Sequence, residues 1–101
     1  MLERLLPAGG ANMQISLEKI ESILRREDIE GFLNLGAPQD EYSSEARKMG
    51  LALQAIDEPT EEEVSQVVMN VWDKAFGPFT DEDIEMRRPV LERIVRHILT
   101  E

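Results

Sequence analysis

The sequence predicts an all-α protein, a small irregular bundle of four to five helices whose last segment kinks or breaks near Pro89. Apolar residues recur at three- and four-residue steps in several segments, which is typical of helices with one buried face. Junctions that contain glycine or proline separate these segments. No stretch alternates between apolar and polar residues with a period of two, so no sheet is predicted.

Length and chain-breaking residues predict one domain preceded by a tail. A chain of 101 residues fits a single compact core. Residues 1–12 contain a proline and a glycine pair, which disfavour a steady helix, and we expect a flexible N-terminal tail there. Residues 13–101 then form the single helical domain. Because the apolar pattern resumes directly after Met13, one hypothesis is that Met13 is the true start of translation.

Composition excludes several classes of function. The chain has no cysteine, which removes disulfides, thiolate catalysis and zinc–thiolate sites. No apolar run approaches the ~20 residues that span a bilayer. The formal net charge of −10 repels nucleic-acid phosphates and anionic membranes and attracts basic proteins. We therefore expect a cytoplasmic protein that needs no cofactor and binds neither nucleic acid nor a membrane. The negative charge has two interpretations: it serves solubility alone, or it attracts a basic protein partner.

The first third of the chain predicts two helices. The first runs from Ser16, which serves as N-cap, to about Arg26. The apolar residues then change phase, which indicates a break. Asp28 is a second N-cap candidate and begins a short second helix that reaches about Leu35. Gly36 closes this helix, because glycine adopts the left-handed conformation that often ends helices.

The third helix is predicted from Glu41 to Ile56, with Asp40 as its cap. Tyr42 opens an unbroken apolar stripe along it. Gly50 lies inside this helix and costs about 1 kcal/mol relative to alanine. A close contact with another helix would explain that glycine. The alternative is that the glycine has no structural role and the helix tolerates its cost.

The fourth helix has the strongest apolar periodicity in the chain, and we expect it to be the most buried. Thr60 and Glu63 have the spacing of a capping box, in which each side chain binds the other residue's amide. Three consecutive glutamates at this end complement the positive end of the helix dipole. The helix runs to Phe76, where Gly77 ends it.

The last segment starts at Thr80, which caps it with Asp83 as partner. Pro89 lies well inside this segment and would cost about 3 kcal/mol in a straight helix. Two outcomes satisfy the proline: a kink, or an end near Arg87 followed by a restart. We expect the arginines of this segment to pair with the acidic residues at 57–63 and 81–85.

The junction from Gly36 to Tyr42 is the sharpest local signal, and it has two interpretations. In the first it only separates two helices. In the second it forms a candidate interaction site, whose residues are Asp40, Glu41, Tyr42 and Glu45. Because hard cations prefer oxygen ligands, the same residues could instead hold a metal ion or serve an enzyme. His97 is the only histidine, which excludes a pair of histidine ligands, and we expect it at the surface or half-buried.

The same junction carries a resemblance to a known family. It reads Gly36-x-Pro38-x-Asp40-Glu41-Tyr42-x-x-Glu45. Over about residues 16–99 the chain resembles a group of small bacterial all-helical proteins of unknown function that share a Gly-x-Pro-x-Asp-Glu-Tyr signature. Many members carry Trp-Asp-Pro where this chain has Glu27-Asp28-Ile29. The resemblance implies a helical cytosolic domain and assigns no catalytic residue.

These observations predict a bacterial, cytosolic, non-enzymatic protein-interaction module, either immunity-type or regulatory. The prediction depends on strong acidity, small size and the lack of a convincing catalytic constellation in the sequence. The alternative is a carboxylate-based metal-binding protein or enzyme centred on Asp40, Glu41, Tyr42 and Glu45. A homodimer that forms through apolar surface left on the final helix is a further alternative.

Overall fold

The computed structural model describes residues 16–100, which form four helices and contain no strand. The helices are α1 (Leu17–Glu27), α2 (Ser43–Gln54), α3 (Glu61–Phe76) and α4 (Asp81–Thr100). The predicted all-α class is therefore confirmed. The predicted tail at residues 1–12 and the proposed start at Met13 lie outside the described residues.

The four helices form a ring around one core. Each helix packs against its neighbours along the chain, and α4 closes the ring by packing against α1. The core is mostly aliphatic, with one tryptophan and one tyrosine. Its buried apolar residues are Ile20, Ile23, Leu24, Tyr42, Ala46, Met49, Leu53, Val64, Val68, Trp72, Leu91, Ile94, Val95 and Ile98.

Three predicted helix starts are confirmed by side-chain caps. Ser16 caps α1. In the capping box of α3, the Thr60 hydroxyl accepts from the Glu63 amide at 3.1 Å and the Glu63 carboxylate accepts from the Thr60 amide at 2.8 Å. Thr80 and Asp83 make the equivalent pair at α4, at 3.0 and 3.1 Å. Local sequence specifies these starts because both partners lie within one helical turn.

The predicted second helix, from Asp28 to Leu35, is wrong. Residues 29–36 form a series of turns instead. Asp28 ends α1 as its C-cap at φ 44°, and Gly31 also has a positive φ, 76°. Two left-handed residues this close together prevent a helix from propagating through them. The positive φ predicted for Gly36 is observed, at 104°.

The predicted cap of α2 is also wrong. The helix starts at Ser43 rather than Glu41, and its N-cap, Tyr42, makes no side-chain capping bond. The main chain of Asp40 is used in a turn instead, in which its carbonyl accepts from the Ser43 amide at 3.0 Å. A preceding turn joins the Glu41 amide to the Pro38 carbonyl at 3.0 Å. These turns occupy the residues that were expected to begin the helix.

α4 continues through Pro89 without a break. Of the two predicted outcomes, the end near Arg87 is therefore wrong. Proline removes the amide that would bind the carbonyl of Glu85. Both Pro89 and Glu85 are exposed, so water can satisfy that carbonyl and the helix tolerates the missing bond.

α2, rather than the predicted α3, has the larger buried share. Five of its 12 residues are buried, against three of 16 in α3. One cause is the close approach of α1. A Cβ added at Gly50 would overlap with Leu17 Cδ2 and would lie 3.6 Å from Ile20 Cδ1. The close helix contact is therefore the explanation of Gly50 that the structure supports.

We predict that Gly50→Val destabilises the protein by about 1–3 kcal/mol, because its methyl groups would overfill the contact between α1 and α2. Helix propensity alone would favour valine over glycine, so steric crowding and propensity predict opposite signs. Urea unfolding followed by circular dichroism measures the difference. Leu51→Val, at an exposed position of the same helix, is the control and should cost less than about 1 kcal/mol. A Gly50→Val protein as stable as the original would contradict the prediction.

Candidate functional site

The carboxylate of Asp28 anchors the segment that joins α1 to α2. Its Oδ1 accepts from the Tyr42 hydroxyl at 2.6 Å and from the Leu33 amide at 3.1 Å. Its Oδ2 accepts from the Asn34 amide at 3.0 Å. Three donors therefore meet at one carboxylate, and two of them are main-chain amides of the turns that follow. Hydrogen bonds to a charged acceptor are the stronger kind, so this residue holds the turns in place.

Tyr42 lies fully buried within a cluster of aromatic rings. Its ring is 6.2 Å from that of Phe32 and 5.5 Å from that of Trp72, measured between centroids. Phe76 completes the cluster, 4.9 Å from Trp72. Burial raises the pKa of Tyr42, and the hydrogen bond to Asp28 raises it further. Its hydroxyl is thus protonated and donates its hydrogen bond to Asp28 inside the fold, where no external ligand can reach it.

Glu30 makes a second anchor two residues after Asp28. Its Oε2 accepts from Trp72 Nε1 at 2.7 Å and from Arg87 Nε at 2.8 Å. Its Oε1 accepts from Arg87 Nη2, also at 2.8 Å. The guanidinium therefore binds the carboxylate through two parallel bonds and also lies 4.4 Å from the ring centroid of Phe79. This group joins the turn segment to both α3 and α4.

The environment keeps both anchoring carboxylates ionised. The hydrogen bond from Arg87 lowers the pKa of Glu30 despite burial, and Trp72 adds to the effect. Burial raises the pKa of Asp28, but the bonds from Tyr42 and from the two amides outweigh it, so the pKa lies below the ordinary value. Each carboxylate is therefore a satisfied charge of the kind that holds a structure together.

The four residues of the candidate interaction site separate into two pairs. Asp40 and Glu41 are exposed. Tyr42 is buried against Asp28, and Glu45 is only 8 % exposed. The structure therefore does not bring the four side chains together on one surface. Within residues 16–100, no group of three or more histidine, aspartate or glutamate side chains is arranged to hold a metal ion.

Glu45 is the least satisfied polar residue of the four. Its Oε1 is buried and has no hydrogen-bond partner in the part of the chain that the structure describes. Buried polar atoms are usually paired, so such an atom is uncommon in a folded protein. It lies in the first turn of α2, where the helix dipole favours a negative charge.

The exposed part of the junction forms a loop with one projecting apolar side chain. This loop, residues 34–41, is called the Leu35 loop below. Leu35 is 82 % exposed, and every other residue of the loop except Ala37 is also exposed. The loop leaves the anchor directly, because the amide of its first residue, Asn34, binds Asp28.

The sequence identified only part of this network. It marked Asp28 as a cap but gave no role to Glu30. The arginines of α4 were expected to pair with the acids at 57–63 and 81–85, and among the described residues only Arg88 makes such a salt bridge, with Glu85 at 2.7 Å. Arg93 instead binds Glu27 at the end of α1, and Arg87 binds Glu30 in the turns that follow. The change of apolar phase after Arg26, with acids at 27, 28 and 30, is the signal that could have located these partners.

His97 is half-buried, as expected, and lies on the face of α4 that meets α1. Its Nε2 is 3.6 Å from Glu27 Oε2. Arg93 donates to the other oxygen of the same carboxylate at 3.0 Å. The histidine thus lies beside the ion pair between Arg93 and Glu27 that joins α4 to α1.

No family model, curated protein or solved structure matches the chain. No helix among residues 16–100 combines the length and the hydrophobicity needed to cross a bilayer.

We predict that Arg87→Met lowers the free energy of unfolding by about 2 kcal/mol, because it leaves the Glu30 carboxylate, which is only 10 % exposed, without its charged donor. Arg88→Met is the matched control, since Arg88 makes an exposed pair with Glu85 and should change stability little. Urea unfolding at neutral pH compares the two. Equal losses for both variants would show that the Glu30 contact has no special weight.

We predict a second effect at Tyr42. Tyr42→Phe removes a hydrogen bond to a charged group and should cost about 1.5–3 kcal/mol at neutral pH. Because folding raises the pKa of Tyr42, its contribution is fully present below the ordinary tyrosine pKa of about 10 and is lost as pH rises beyond it.

Unfolding midpoints measured from pH 7 to pH 11 test this expectation. The stability difference between the original protein and Tyr42→Phe should shrink above about pH 10. Tyr42 is the only tyrosine, and the lysines are common to both proteins, so the difference isolates this hydroxyl. A constant difference across the range would mean that Tyr42 does not titrate as the structure implies.

Proposed function

We propose that the protein is a non-enzymatic interaction module that binds a basic protein partner through the Leu35 loop. One observation carries the proposal: Leu35 is 82 % exposed on a loop whose start is fixed by the Asp28 carboxylate. A single exposed leucine is ordinary on a protein surface. Leu35 differs from an ordinary exposed leucine in its position. It follows turns that the Asp28 carboxylate holds in place through three hydrogen bonds, and its side chain still lies in water.

Preorganisation explains why such a loop would bind well. The amide of Leu35 bonds to the carbonyls of Gly31 and Phe32, both at 3.1 Å, and the Gly36 amide bonds to Leu33 at 3.0 Å. The loop therefore has its main-chain shape before a partner arrives. Association then loses less conformational entropy than it would with a disordered segment. Burying a leucine side chain contributes about 1.5–3 kcal/mol.

Charge supports a basic partner. Asp40 and Glu41 are exposed in the same loop as Leu35, and neither carboxylate has an ion-pair partner within the described residues. The whole chain carries a formal net charge of −10. Acidic groups around an apolar contact accelerate the approach of a basic surface and discriminate against acidic ones. Because the two carboxylates need no rearrangement to become available, they suit this role.

The class of protein is proposed from small size, acidity and the all-helical fold. A small acidic helical domain of the bacterial cytosol fits an immunity-type or a regulatory protein, which acts by occupying another protein rather than by chemistry. The alternative, a carboxylate-based metal site or enzyme, has less support, because Tyr42 uses its hydroxyl inside the core. Thermal melting with Mg²⁺, Ca²⁺ or Mn²⁺ would favour the alternative if any ion raised the midpoint.

We predict that a photo-crosslinking amino acid placed at Leu35 captures a partner in the organism that encodes the protein. The same amino acid at Leu51, a second exposed leucine at 57 %, is the matched control and should capture little. The paired charge reversal Asp40→Lys and Glu41→Lys should reduce the yield at Leu35 several-fold, because it removes the attraction for a basic surface. Mass spectrometry of the adduct identifies the partner.

Two outcomes would overturn the proposal. Equal adducts at both positions would mean that Leu35 has no special exposure to a partner. An undiminished yield after charge reversal would show that the partner is not recognised by charge.

A further inference from the structure

A second surface, between α3 and α4, has the form of a groove with an apolar floor. Its floor consists of three buried side chains from the two helices, and two half-buried ones form its walls. These residues are Val68, Leu91 and Val95 for the floor and Met69 and Ile84 for the walls. The groove has a volume of about 140 Å³. None of its residues belongs to the Leu35 loop.

The size of the groove favours a protein side chain over a small molecule. Pockets that hold drug-sized ligands or cofactors have volumes of about 300–1,000 Å³. A volume of 140 Å³ instead accommodates one or two apolar side chains. The lining residues of α4 lie between Ile84 and Val95, which are eleven helical steps or about 16 Å apart. A neighbouring helix would place side chains along that length at three- and four-residue steps.

The α4 side of the groove is acidic once its own ion pair is considered. Arg88 lies on the rim, but its guanidinium is bound to Glu85 at 2.7 Å. Glu92 also lines the rim and is exposed. Its carboxylate also attracts the charge of Arg88, four residues earlier, and helps to raise the pKa of that guanidinium. Two carboxylates therefore face one guanidinium, and the α4 side of the groove keeps a net negative charge.

The α3 side extends this acidic rim. Ser65 lines the groove, and Glu61 and Glu62 precede it by four and three residues. On a helix these spacings place side chains on one face, so both glutamates continue the rim beyond Ser65. Both are exposed. With Glu92, three exposed carboxylates therefore flank an apolar floor, and the exposed Arg96, four residues after Glu92, offsets only one of them.

We propose that this groove docks an amphipathic helix of a basic partner protein. Apolar side chains of that helix enter between Met69 and Ile84, and its lysines or arginines reach Glu62 and Glu92. Helix-in-groove recognition of this kind combines apolar anchors with flanking charge. The proposal goes beyond the function of the Leu35 loop and does not depend on it, because the two surfaces share no residue.

A synthetic peptide tests the groove directly. The probe is a helical peptide of about 15 residues built from leucine and lysine, with the leucines on one face. Its control has the same composition in a scrambled order that destroys the apolar face. Fluorescence anisotropy gives the affinity for the full chain, and methyl NMR shifts locate the contact. We expect the amphipathic peptide to bind at least about tenfold more tightly than the scrambled one, with shifts at Met69, Ile84, Leu91 and Val95.

Two variants on α3 distinguish the groove from the rest of the surface. Ser65→Trp fills the groove from an exposed rim position and should weaken binding about tenfold or more. Asn70→Trp adds the same bulk at an exposed position of the same helix that does not line the groove, and it should leave the affinity unchanged. Circular dichroism confirms that both variants fold.

Each remaining outcome would overturn the proposal. Equal affinity for the two peptides would indicate charge attraction without an apolar contact. Shifts at the Leu35 loop instead of the groove would assign the peptide to the other surface. Groove shifts that appear on raising the protein concentration without peptide would mean that a second copy of the chain is the occupant. The crosslinking result at Leu35 is independent of all three.

Discussion

The path of the chain from α1 into α2 depends on the carboxylate of Asp28. The chain must leave α1, reverse, and enter α2 with Tyr42 inside the core, and it must do so without a helix between residues 29 and 36. Turns expose main-chain amides that need partners. Asp28 supplies acceptors for two of these amides and for the Tyr42 hydroxyl. One side chain therefore determines both the shape of the turns and the depth at which α2 begins.

Glu30 extends this local anchor to the opposite side of the ring. It ties the turn segment to α3 through Trp72, 42 residues later, and to α4 through Arg87, 57 residues later. Burying a charge is costly unless it is paired and hydrogen-bonded, and here every donor is well placed. The aromatic cluster around Tyr42 then packs against an ordered polar layer, so the apolar and polar contacts support each other.

Structure that depends on neighbouring residues could be predicted from the sequence. Structure that depends on distant residues could not. The caps at Thr60 and Thr80 were predicted because each partner lies three residues away. The helix expected after Asp28 does not form, because that residue takes a left-handed conformation while its carboxylate binds Tyr42, 14 residues later. The spacing of the sequence contains no sign of that contact. Asp40 has the chemistry of a cap, but the burial of Tyr42 sets the phase at which α2 can start.

The residues of the junction from Gly36 to Tyr42 therefore have two roles. Tyr42 holds the structure together, and Asp40 and Glu41 form part of the exposed surface. The side chain of Tyr42 faces inward, and its hydroxyl donates to Asp28. This hydroxyl is therefore not available for catalysis or ligand binding. The side chains of Asp40 and Glu41 make no such contact, and Leu35, which precedes them, is 82 % exposed. Because the inward bonds fix the main chain that carries the outward side chains, the two roles support each other. A partner that binds the Leu35 loop would meet a shape that the core has already determined.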